Sequence, residues 1–157
     1  MPQGRSLPTS AQPMRVVFRI ADARKRLCRW DAVLGRRHRV PGATMAYGVG
    51  IPHDLVQYVI EAACGYEYGF WGLVARGATF KSTGRKQTKP GRQIIVEHRA
   101  ELAASEDLAG IHLTAWQHGA RTSVTAALEA AATQWRALSP DERLVFVWPS
   151  PTGHIEP

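Results

Sequence analysis

The sequence predicts an α+β fold: a small, mostly antiparallel sheet of three or four strands, including the C-terminal strand, packed on one face by about five helices. Three observations carry that expectation. Near the start, two segments alternate apolar and polar residues and are joined by a short polar turn, which reads as a hairpin. The middle of the chain shows helical spacing instead, clearest where Val124, Leu128, Ala131, Trp135 and Leu138 recur. A late apolar run, Leu144, Val145, Phe146, Val147 and Trp148, then returns as a strand.

Taken in order, residues 1–13 (MPQGRSLPTSAQP) lack the apolar centre of a secretory signal and read as a flexible leader. In residues 14–20, Val16, Phe18 and Ile20 share one face and Arg15, Val17 and Arg19 the other. After the turn at 22–25, Leu27, Arg29, Asp31 and Val33 alternate with Cys28, Trp30, Ala32 and Leu34. Gly35, Arg36 and Arg37 make the next turn, and HRVPGATM returns as a shorter strand that Pro41 confines to an edge or a bulge. AYGVG, residues 46–50, is a flexible approach to the central helix.

That helix begins near Pro52, whose missing N–H costs nothing in a first turn, and Asp54 suits the positive end of its dipole. Leu55, Val56, Val59, Ile60, Ala62 and Ala63 make most of its circumference apolar, and Gly65 is placed to end it. The remaining stripe carries His53, Gln57 and Glu61, with Asp54 beside them and Cys64 at the far end. A carboxylate next to an imidazole suits general acid/base work or metal ligation. The same stripe also fits a surface facing water. HDxxQxxxE is not a zinc signature of the HExxH kind, so the metal is left open.

PHDLVQYVIE followed by GFWGLVARGATF resembles a segment of small uncharacterised bacterial proteins marked by PHDLxHxxxE and a following GFWG. The resemblance covers about a fifth to a quarter of the chain by inspection of those two motifs. It implies no fold or activity, but it draws attention to His53, Asp54, Glu61 and the turn from Gly69 to Gly72. The chain departs from the pattern at Gln57, where a second histidine would stand.

Gly69, Phe70, Trp71 and Gly72 place two large rings between small residues, and a second helix is expected over residues 70–78, its rings plugging the core. Residues 81–92 (KSTGRKQTKPGR) read as a mobile basic loop carrying Lys81, Arg85, Lys86, Lys89 and Arg92. Ile94, Ile95, His98 and Leu102 give a helix over 94–103, with Glu97 and Glu101 beside His98; if this helix packs on the central one, His98 joins His53, Asp54 and Glu61 in a composite site. Ser105 with Glu106 and Asp107 signals a fresh helix whose stripe is Leu108, Ile111, His112 and Ala115, ended by Gly119. Thr122 or Ser123 caps the next one. The strand from Leu144 to Trp148 is apolar on both parities, pairs with residues 14–20, and leaves one face for helices and the other for another chain. Residues 150–157 read as a flexible polar tail behind a single domain, 14–149.

With 157 residues, 45% of them hydrophobic and 21% charged, the chain is long enough for one real core, and no apolar run approaches a membrane span. Two cysteines without metal-type spacing and no signal segment point to the reducing cytoplasm. CxxC, GxSxG and GxGxxG in a strand-to-helix setting are all absent from the sequence. The net charge of +7 favours anionic partners. The basic residues fall into two groups: Arg24, Lys25, Arg26, Arg29, Arg36, Arg37 and Arg39 on the hairpin, with Trp30 available to stack, and the 81–92 loop. Three functions follow from the residues: a basic module binding nucleic acid or another polyanion, a small hydrolase or lyase working through His53, Asp54, Glu61 and His98, and a subunit joined to other chains through the last strand. The cofactor, if one is used, is left open by every motif.

Overall fold

A computed structural model of the protein describes residues 12–48, 50–83 and 86–157. The alternating segments form β1 (Met14–Asp22) and β2 (Leu27–Leu34), an antiparallel hairpin in which Val16 faces Ala32 and Phe18 faces Trp30. β3 (His38–Pro41) and β4 (Met45–Ala46) both pair with β2. β5 (Arg143–Trp148) runs antiparallel to β1 with Phe146 opposite Val16, and β6 (His154–Glu156) pairs with β5. The order is β3-β2-β1-β5-β6, with β4 beside β2.

The sheet thus has six strands among the described residues, not three or four. One extra strand arises because the third expected strand is split: past Pro41 the Gly42 N–H turns to the Trp30 carbonyl at 2.8 Å, and pairing resumes only at Met45. The other comes from residues 150–157, which are no loose tail. Ile155 sits opposite Leu144, and the Glu156 carboxylate takes Arg15 at 2.5 Å, which fastens the segment to the sheet.

The helices lie on the face bearing Met14, Val16, Phe18, Cys28, Trp30, Ala32, Leu34, Leu144, Phe146 and Trp148. α1 (His53–Cys64) starts after Pro52, ends on left-handed Gly65, and buries Leu55, Val56, Tyr58, Val59, Ile60, Glu61 and Ala62. α2 (Phe70–Ala75) stops earlier than expected, because the Ala78 N–H turns back to the Leu73 carbonyl. Trp71 is fully buried, its ring centroid 4.6 Å from Trp30, 5.4 Å from Tyr58 and 5.9 Å from Phe18. These four rings meet edge-on, the arrangement that aromatic quadrupoles favour.

Beyond α2 the sequence misleads in three places. Lys81–Thr83 is a short 3-10 turn, and Lys89, read as loop, opens α3 (Lys89–Glu97): Thr88 Oγ1 accepts from the Gly91 N–H at 3.0 Å, and Pro90 occupies the first turn. The helix break falls at His98, not before Ser105, which lies inside α4 (Arg99–Gln117), fully buried and donating to the Leu102 carbonyl. Ile111, expected on the buried stripe, is 63% exposed. α5 (Thr125–Ala137) follows the predicted stripe and buries Leu128, Ala131 and Trp135. No helix among the described residues is long and apolar enough to cross a membrane.

Candidate functional site

Two regions concentrate the chemistry, the polar edge of α1 and the sheet face turned away from the helices. On α1, Asp54 and Glu61 are both tied into the fold. Asp54 Oδ2 accepts from the Trp30 indole N–H at 2.8 Å, while its main-chain carbonyl accepts from the Trp71 indole at 3.2 Å. Glu61, fully buried, takes the Trp71 N–H on Oε1 at 2.9 Å and both the Phe70 N–H and Gln57 Nε2 on Oε2 at 3.0 Å. Burial pushes its carboxyl up to about 7, against the pull of those donors.

This clamp explains Gly69 of the GFWG turn, and the main chain of Glu67 explains Gly72. A Cβ on Gly69 would lie 2.4 Å from Glu61 Oε1 and 2.7 Å from Ser105 Oγ, and one on Gly72 would lie 2.1 Å from the Glu67 carbonyl oxygen. Gln57, where the resembling pattern has histidine, acts as the clamp's side-chain donor.

The four expected catalytic residues do not gather at one point. His53 is 69% exposed, with Nδ1 3.6 Å from Asp54 Oδ1, and that carboxylate raises its pKa. His53 and Asp54 border two clefts of about 290 and 200 Å³ that share Gln57 and Glu106. Glu61 is two turns further on, at the edge of a cavity of about 780 Å³ with Tyr66, Tyr68, Arg76 and Trp148. His98 is in a neighbouring cavity of about 490 Å³, stacked on Tyr68 at 4.1 Å, its Nδ1 2.9 Å from Glu101 Oε1. Among the described residues no three His, Cys, Asp or Glu side chains stand close enough to hold a metal ion.

The opposite face of the sheet is built by the other parity. It carries Arg15, Val17 and Arg19 from β1, Arg29, Asp31 and Val33 from β2, Arg39 from β3, Arg143, Val145 and Val147 from β5, and Glu156 from β6. Three guanidinium groups surround Asp31: Arg19 at 3.7 Å, Arg29 at 4.0 Å and Arg39 at 4.0 Å. Two more share Glu156, Arg15 at 2.5 Å and Arg143 at 4.0 Å. Five arginines against two carboxylates leave a surplus of three positive charges on this face. Val17 and Val145 are buried although they point away from the helices, as expected where arginine stems lie across apolar side chains. Asp31 Oδ2 and Arg19 Nε are buried with no hydrogen-bond partner among the described residues, so the fan of charges is not internally satisfied.

Of the expected anion-binding residues, Arg29 and Arg39 belong to this face. Arg24, Lys25 and Arg26 lie in the turn between β1 and β2, and Arg36 and Arg37 in the turn between β2 and β3, roughly 25 Å away at the other end of β2. The basic hairpin is therefore not one patch. Leu34 and His38 beside the second turn line the same cavity as Thr88, Pro90 and Gly91, which places Lys89 and Arg92 near that end of the sheet. Lys81 and Lys86 are exposed, and Arg85 lies outside the described residues. Trp30 is 2% exposed in the core and offers no stacking surface. The residues missed were Arg15, Arg19 and Arg143. Alternation around residues 14–20 already put the first two on the outer face, whereas Arg143 joins them only through the pairing of β5 with β1.

No protein-family model, curated protein or solved structure matches this chain.

Proposed function

We propose that the protein is a binding module for nucleic acid that holds the phosphate backbone on the arginine-bearing face of its sheet. The supporting observation is the convergence of Arg15, Arg19, Arg29, Arg39 and Arg143 around only two carboxylates. Guanidinium forks match phosphate oxygens in pairs, and ion pairs as open as those on Asp31 exchange readily for such a partner. The face bears no Phe, Tyr or Trp among the described strand residues, its one aromatic group being the His154 imidazole held 2.7 Å from Glu156, so bases find no extended stacking platform there. The contact is to the backbone and independent of sequence.

The test is fluorescence anisotropy with a labelled duplex and the matching single strand, from about 50 to about 200 mM salt. Binding should weaken steeply with salt and be lost in a variant combining Arg15→Gln, Arg19→Gln and Arg143→Gln whose circular dichroism is unchanged. A titration flat across salt sinks the proposal. So does a face variant that binds like the wild type while Arg36→Gln with Arg37→Gln abolishes binding.

A further inference from the structure

We propose that Cys64 is a site of reversible thiol modification that exchanges with low-molecular-weight disulfides, with His112 as general base and Thr122 as the positioning residue. Three elements bring these side chains together: Cys64 ends α1, His112 lies in α4, and Thr122 precedes α5. Cys64 Sγ is 3.8 Å from His112 Nε2, and His112 Nδ1 is 3.0 Å from Thr122 Oγ1. Thr122 Oγ1 already accepts from the Val124 N–H at 3.3 Å. Its second lone pair is free to accept from Nδ1–H, and in that tautomer Nε2 turns its own lone pair toward the thiol. Nucleophile, base and orienting group thus stand in the order that thiol chemistry uses.

The local electrostatics say why a base is needed. Burial raises the Cys64 thiol, the carbonyl end of α1 disfavours a negative sulfur, and the Tyr66 phenol is close enough for the two acids to oppose each other's ionisation. A standing thiolate is therefore disfavoured, and the proton must leave as the new bond forms. Cys64 Sγ attacks one sulfur of the disulfide while its proton passes to His112 Nε2. The disulfide S–S bond breaks as the Cys64 S–S bond forms, and the departing thiolate takes the proton from the imidazolium, so that one small thiol is released for each mixed disulfide made. Cys28 does not compete: it is 2% exposed, and burial together with the Asp54 charge pushes its thiol up to about 11.

The experiment treats the reduced full chain with 2-hydroxyethyl disulfide, which is neutral and so is not concentrated by the net charge of +7, and follows intact mass with time. One adduct is expected, on Cys64 and removable by dithiothreitol. His112→Asn keeps an amide donor for Thr122 but removes the base, and should slow the reaction by about tenfold or more. Thr122→Val should slow it less. The proposal is overturned if His112→Asn reacts at the wild-type rate, if Cys64 reacts more slowly in the folded chain than in urea, or if folded Cys64→Ser still takes up an adduct.

Discussion

Replacing Glu61 by Gln puts the clamp between α1 and α2 to a quantitative test. In the folded chain its carboxyl rises from 4.5 to about 7, chiefly because the group is buried. Between those values the native state holds a proton that the unfolded chain has released, so stability is greatest at the acid end and falls as pH rises. At about 1.4 kcal/mol per pH unit, the loss across the window is about 3 kcal/mol. Gln cannot titrate, so this slope should vanish from the variant. The variant carries a fixed penalty instead, because the amide NH2 can only donate and faces the N–H donors of Trp71, Phe70 and Gln57, whereas the hydroxyl oxygen of the protonated carboxyl can still accept. One buried N–H left unpaired costs about 1–3 kcal/mol. Urea unfolding of both proteins from pH 4.5 to 8 should therefore show Glu61→Gln as the weaker protein in acid, with the gap closing or reversing by neutrality. The raised His53 adds a slope of the same sign, but it is common to both proteins and cancels in the difference. A gap that stays constant across the window would refute a buried acid at this junction.

Gly69→Ala should destabilise the chain by about 2–4 kcal/mol, and by clearly less in a Glu61→Ala background, where the nearest clash is gone; denaturation of the four proteins gives the coupling, and strict additivity would contradict the geometry. Trp30→Phe strips the Asp54 carboxylate of its 2.8 Å donor and leaves a void where the larger indole packed, for an expected loss of about 2–5 kcal/mol in thermal or urea unfolding. On the sheet face, Arg29→Gln and Arg39→Gln should each flatten the salt dependence of nucleic-acid binding by about 0.9 in log–log slope, a change read directly from the anisotropy titrations.

The parts of the fold that were legible in the sequence are those where one physical signal dominated. Alternation placed β1 and β2, Pro52 and Gly65 bounded α1, and the spacing from Val124 to Leu138 gave α5. The errors arose where two readings of the same residues compete. Pro90 and Gly91 look like loop formers, yet after Thr88 they suit a first helical turn, one residue lacking an N–H and the other donating to the threonine. Ser105 before Glu106 and Asp107 resembles a cap, but its hydroxyl bonds backward to Leu102 and its small size is what lets α4 approach Gly69. β6 carries too few apolar residues to announce itself; Arg15 and Leu144, remote in the chain, make it a strand.

The candidate site was legible only in part for a related reason. Helical spacing correctly put His53, Gln57 and Glu61 along one edge, but it says nothing of what crosses over them. The main chain of α2 occupies Glu61 and the indole of Trp30 occupies Asp54, so the acids that look reactive in sequence serve as joints. The arginine face needed the order of the strands, because Arg143 reaches Arg15 and Arg19 only by crossing from one end of the chain to the other.

The near contact of Trp30 and Trp71, with centroids 4.6 Å apart and planes inclined at 61°, has an optical consequence. Two indoles so close and so inclined can couple their electronic transitions, and the expected outcome is a paired, oppositely signed band in the circular dichroism of the native protein. Since each ring is anchored to Asp54, one by its carboxylate and one by its carbonyl, that band reports on the start of α1 without any added label.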